Sequence, residues 1–147
     1  MSYKRLGQID LATGVIIDGY LALIHTKHKN GFKNGWLAMN QVALDQIAKM
    51  HKELGGSGFA VMFAMLARVQ MRNDYQAVNL TEIAETVGVE RANVSRAMKK
   101  LVETGIFLQG PKIGVQNTYK LSPEYGWKGS AKEHRDALRI NVSEGSK

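Results

Sequence analysis

Arg91, Asn93, Ser95, Arg96, Lys99 and Lys100 fall within ten residues, in the stretch RANVSRAMKK. Arg, Asn and Ser can exchange hydrogen bonds with the edges of bases, while Lys suits a phosphate. Downstream, Lys112 lies in a Gly/Pro turn and Gln116 in the segment that follows it. From Arg91 to Leu121 there are six basic residues and one acid, Glu103, a net +5 out of +7 for the whole chain. A clustered positive field is what phosphate affinity through counterion release requires. An acidic protein or a membrane surface could use the same field. However, no helix pairs a Trp/Phe face with a Lys/Arg face as surface-seeking helices do.

These side chains need elements to aim them. Leu80, Ile83, Ala84 and Val87 repeat at i, i+3, i+4, i+7 and predict one helix. Thr81 is a candidate N-cap. Ala84 is small where two crossing helices approach closely, Gly88 supplies the left-handed stop, and Val89 fills the corner. Val94, Ala97, Met98 and Leu101 predict the buried face of a second helix. Its outer face then carries Ala92, Ser95, Arg96, Lys99 and Lys100, with Arg91 and Asn93 in the first turn. Glu90 takes the cap position, where Ser or Asp is commoner.

A hairpin is expected next. Ile106, Phe107 and Leu108 form one strand, residues 110–114 a rigid basic turn, and residues 115–121 the return. In that return Val115, Asn117, Tyr119 and Leu121 share a face, with Gln116, Thr118 and Lys120 opposite. Helix, turn, basic helix, hairpin is the order of a winged helix-turn-helix, whose second helix enters the DNA major groove. The plain alternatives are a helix pair with a solvated basic face and a hairpin that binds nothing.

Other chemistry is poorly supported. His25 and His28 have H-x-x-H spacing but lie in a Lys-rich loop, with no Cys in the chain and no carboxylate following them until Asp45. The run Gly55, Gly56, Ser57, Gly58 lacks the Gly-Lys-Ser/Thr ending of a phosphate loop, and an interhelical turn explains it. The Met-rich segment 61–71 reads as core. Paired carboxylates and a nucleophile elbow are absent from the sequence. The expectation is a protein without catalysis, cofactor or metal.

The chain has 147 residues, 44% hydrophobic and 22% charged, within the range of one globular domain. No run reaches the length of a membrane span, and the first residues lack the apolar core of a signal peptide. Cysteine is absent, which excludes disulfides and agrees with a cytoplasmic location.

The expected fold class is α+β, mainly α, a winged helix-turn-helix with a small N-terminal β-hairpin. Within a single domain, 1–147, residues 1–39 hold a hairpin region. It starts with strands over 8–18, turning at Ala12, Thr13 and Gly14. The loop 25–35 follows, then a short strand over 36–39. Residues 40–121 form the core. There a helix over 41–54 turns Leu44, Ile47, Ala48 and His51 to one side, and Ser57 caps a central helix over 59–71. Residues 122–140 contain a helix opened by a Ser130/Glu133 capping box. Residues 141–147 are a disordered tail.

Together, the N-terminal hairpin with its Ala-Thr-Gly turn, the Lys/Gly/Phe-rich loop before Trp36, the helix-turn-helix, and the words Tyr119-Lys120-Leu121-Ser122-Pro123 and Trp127-Lys128-Gly129-Ser130 resemble the RepL family of bacterial plasmid replication proteins. The resemblance implies a cytoplasmic protein that recognises a plasmid origin in double-stranded DNA and starts replication, contributing to copy control and engaging host replication proteins. Helix-turn-helix proteins commonly bind as two-fold dimers, and the apolar residues 15–24 are a candidate pairing surface for a homodimer. The competing functions are a transcriptional regulator and a nicking initiator. The latter needs a His-x-His pair, which His25 and His28 do not provide.

Overall fold

The computed structural model describes residues 4–9, 16–21, 32 and 35–145, with the backbone alone for 4–9, 16–21 and 142–145. The chain divides into two compact units, residues 1–35 and 36–147.

In the first unit, β1 (Lys4–Ile9) pairs antiparallel with β2 (Ile16–Leu21), Lys4 opposite Leu21 and Ile9 opposite Ile16. The first strand thus begins before Gln8, where the sequence placed it. The turn at Ala12, Thr13 and Gly14 lies outside the described residues. So does the loop 25–35, His25 and His28 included, apart from Phe32 and Gly35.

The second unit is mixed and mainly helical. β3 (Ala38–Met39) leads into α1 (Gln41–Lys49), whose first-turn N–H groups are capped by the Asn40 side chain. α1 buries Ala43 and Ile47, whereas Leu44, Ala48 and His51 are exposed, contrary to the predicted face. Met50 forms a bend, and α2 (His51–Leu66) follows. Gly55, at φ 66° and ψ 176°, breaks α2 internally. The Gly run thus interrupts the helix as its sequence predicts, but the break falls at Gly55 and the helix resumes before Ser57, which is not its cap. α2 stops at Leu66, short of Met71, which belongs instead to a single 3-10 turn over Met71–Asn73. Val61, Met62 and Met65 place its apolar face at the centre of the core.

β4 (Gln76–Ala77), α3 (Leu80–Val87), α4 (Arg91–Glu103), β5 (Phe107–Gln109) and β6 (Thr118–Leu121) come next. Asn79, not Thr81, caps α3: its Oδ1 accepts from the N–H groups of Thr81 and Glu82. Gly88 ends α3 at φ 79°, a left-handed conformation that glycine adopts without a Cβ clash. Val89 packs against the core as the corner residue. α4 buries Val94, Ala97, Met98 and Leu101, the face its periodicity predicts, and Glu90 makes no side-chain capping bond.

β4, β6 and β5 form a three-stranded antiparallel sheet in that order. β7 (Gly126–Trp127) pairs with β3, and α5 (Ala131–Gly145) closes the unit. The reciprocal capping box is present: Glu133 N–H donates to Ser130 Oγ at 3.2 Å and Ser130 N–H to Glu133 Oε2 at 3.4 Å. Its helix continues to Gly145, through most of the segment read as a disordered tail. Among the described residues no helix is long and apolar enough to cross a membrane.

Candidate nucleic-acid interface

α4 is held against the core along its apolar stripe, so its outer face is fixed in orientation. α2 and α3 both pack on it. Arg68, near the end of α2, ties that helix to α3 by donating to Thr86 Oγ1 at 3.1 Å and lying 3.7 Å from Glu82. On the outer face of this packed helix Arg91, Ser95, Arg96, Lys99 and Lys100 are all exposed and Asn93 is half-buried.

These side chains are not equally free. Arg91, Ser95 and Lys99 have no side-chain hydrogen bond or ion pair among the described residues. Arg96 donates to Asn93 Oδ1, one helical turn back, so these two form a local pair. Lys100 turns the other way: its Nζ donates to the Glu53 carbonyl of α2 at 2.7 Å. Glu53 lies just before the Gly55 break, where the helical ladder is interrupted. Lys100 thus serves α2, as a cation at a helix terminus does. The expected result for Lys100→Ala is a loss of about 0.5–1 kcal/mol of stability, measurable by urea denaturation. An unchanged midpoint would remove this role.

β5 and β6 pair with Phe107 opposite Leu121 and Gln109 opposite Tyr119, and Gly110 N–H extends the ladder to the Thr118 carbonyl at 2.9 Å. The return strand starts at Thr118, not Val115. Beyond it the two arms meet again where Ile113 and Gln116 exchange backbone hydrogen bonds of 2.9 and 3.1 Å around Gly114 and Val115. Pro111 is anchored by Thr118 Oγ1, which donates to its carbonyl at 2.6 Å. The expected face shared by Val115 and Tyr119 does not form: Tyr119 and Leu121 are buried while Val115 stands in solvent. Lys112 is exposed at this tip, and Lys120 is held over the Tyr75 ring at 4.6 Å from its centroid.

The hairpin and the helix pair meet in a cleft of about 270 Å³ lined by Asn79, Arg91, Val115, Gln116 and Asn117, among others. Arg91 and Gln116, distant in sequence, therefore edge one surface. Lys112 is outside this lining, as are Asn93, Ser95, Arg96, Lys99 and Lys100. Sequence reasoning missed Asn117, whose Oδ1 is buried without a hydrogen-bond partner among the described residues. It also missed Asn79. Its spacing before the apolar repeat is an N-cap signal, but Thr81 competed for that assignment.

A second, larger cleft of about 570 Å³ lies between β3, β7 and α5, lined by Trp36, Met39, Trp127, His134 and Leu138 among others. Trp127 stacks on His134 with centroids 5.1 Å apart, and its Nε1 donates to the Ser130 carbonyl at 3.0 Å.

No protein-family model and no curated protein matches the chain. A solved structure described as a possible transcriptional regulator from Methanosarcina mazei Go1 is similar over 70% of this chain and 79% of that one, at 16% sequence identity and a TM-score of 0.41. That likeness is too distant to bear on function.

Proposed function

We propose that this chain is a double-stranded-DNA-binding protein of the winged helix-turn-helix kind that recognises a plasmid replication origin and initiates replication there. α4 is its recognition helix and the β5–β6 hairpin its wing. The observation that carries the DNA reading is the exposed outer face of α4, on which Arg91, Ser95 and Lys99 have no side-chain hydrogen bond or ion pair among the described residues and Arg91 shares a cleft with Gln116 of the hairpin. Arg96 and Asn93 are suited to base edges, Lys99 and Lys112 to phosphates. The origin, rather than a promoter, comes from the resemblance to the RepL family.

Such an initiator acts from the cytoplasm by occupying and deforming the origin and by presenting a surface to host replication proteins, as a homodimer on paired half-sites. It performs no strand cleavage. The test is plasmid maintenance, with the protein supplied in trans to an origin fragment that cannot replicate alone. Replication is expected, and Arg96→Ala and Lys112→Ala are each expected to reduce it. Nicking of supercoiled origin DNA by the purified chain would overturn the non-enzymatic reading.

The aromatic-lined cleft beside α5 favours a second reading, a transcriptional regulator that responds to a small apolar effector. Its volume lies within the range of small-molecule sites. Repression of a promoter without rescue of the origin fragment would select it.

A further inference from the structure

The hairpin tip is unusual for a surface that touches only phosphates. Val115 is 96% exposed and Ile113 62% exposed. They sit on a turn made stiff by the reciprocal Ile113–Gln116 bonds and by the Thr118–Pro111 bond. Two neighbouring apolar side chains held out on a braced tip, Val115 the most exposed large apolar residue among those described, are placed to make a contact of their own.

Resting on the DNA-binding reading above, we propose that Val115 and Ile113 form an apolar wedge that enters a base step from the minor groove and kinks the duplex. Two features favour DNA over a protein partner. First, the surroundings are cationic: Lys112 adjoins Ile113, Arg91 lines the same cleft as Val115, and residues 104–121 contain no acid. Second, the tip is small. A specific protein interface buries on the order of 1,200–2,000 Å² in total, which two side chains on a narrow turn cannot supply. Wedging needs only one or two apolar groups between bases, at a cost of a few kcal/mol per unstacked step. That cost is lowest at pyrimidine–purine steps, so the wedge would select flexible steps that α4 never touches.

The experiment uses the full chain and a duplex carrying its preferred site, selected from random sequence. Dyes at the duplex ends report bending, and a fluorescent purine analogue placed at successive steps reports unstacking. The wild type is expected to bend the duplex and to brighten the analogue at one step beneath the tip. The double variant Val115→Ser, Ile113→Ser is expected to lose both signals at protein concentrations that saturate the duplex. Its circular dichroism and thermal midpoint should match the wild type, since both side chains are exposed.

Binding by the wild type without bending or brightening overturns the wedge and leaves the DNA-binding reading intact. So does a double variant that bends and brightens as the wild type does. Failure of the wild type to bind any duplex overturns both. A double variant that bends DNA normally but no longer self-associates by light scattering would assign the tip to a protein contact instead.

Discussion

Asn73→Leu is expected to lower the unfolding free energy by roughly 3–4 kcal/mol, a large share of a small domain's stability. Asn73 is only 2% exposed, yet fully polar at its tip. Its Nδ2 donates to the Leu121 and Gly126 carbonyls, each at 2.9 Å, and its Oδ1 accepts the Lys128 N–H at 3.1 Å. Two acceptors on one side and a donor on the other fix the orientation of the amide. These bonds join the turn after α2 to the end of β6 and to β7, and so hold the root of the hairpin. Leucine would leave two buried carbonyls and one half-buried N–H short of a partner. The backbone adds to the loss, because Asn73 has φ 50°, a conformation asparagine tolerates better than leucine does.

Asn73→Gly separates the two causes. Glycine keeps the backbone conformation and loses the bonds. If Gly restores stability to near wild type in chemical denaturation, the bonds are not what matters. If Gly loses most of what Leu loses, they are.

This residue also shows where the sequence stops being legible. The apolar stripes of α3 and α4, the Gly88 stop and the Ser130/Glu133 box are local patterns, and local hydrogen bonding or periodicity decides them. Nothing local marks Asn73, whose partners lie 48 to 55 residues away. The limits of α2 were legible only in part: the break at the Gly run is there, at Gly55, but the second arm starts before Ser57 and ends at Leu66. A Gly run reads as a helix end, but burial of Leu54 before it and Gly58, Val61 and Met62 after it keeps both arms on the core, so the chain kinks at Gly55. On α1, Ala43 is buried in place of Leu44, a choice set by what packs opposite and not by side-chain size. The hairpin was legible as strands and turn, but its register was not. Alternation from Leu121 back to Val115 assumes an unbroken strand, whereas the strand ends at Thr118 and releases Val115 to solvent. For the candidate site, composition and helical phase identified the exposed basic face of α4. They did not reveal that Lys100 turns to Glu53 or that Arg96 rests on Asn93, because both depend on side-chain geometry.

Replacing Arg91, Arg96, Lys99 and Lys112 together by Ala is expected to flatten the salt dependence of DNA affinity. Each cation that neutralises a phosphate contributes about 0.9 to the slope of log K against log salt, so Arg91, Lys99 and Lys112 together contribute about 2–3. Over a fourfold rise in salt the wild type should therefore lose about one and a half decades more affinity than the quadruple variant. All four side chains are exposed, so the variant should fold. Lys100→Ala is the internal control. Its ammonium sits on the Glu53 carbonyl, so its removal should leave the slope almost unchanged while lowering stability. Within the set, Arg96→Ala should behave differently from the lysines. If it reads a guanine bidentately, it costs about 1–3 kcal/mol on the specific duplex and much less on random DNA. Titrations of each variant on both duplexes at several salt concentrations measure all of this. A quadruple variant with the wild-type slope would place the DNA, if it binds at all, on some other face of the protein.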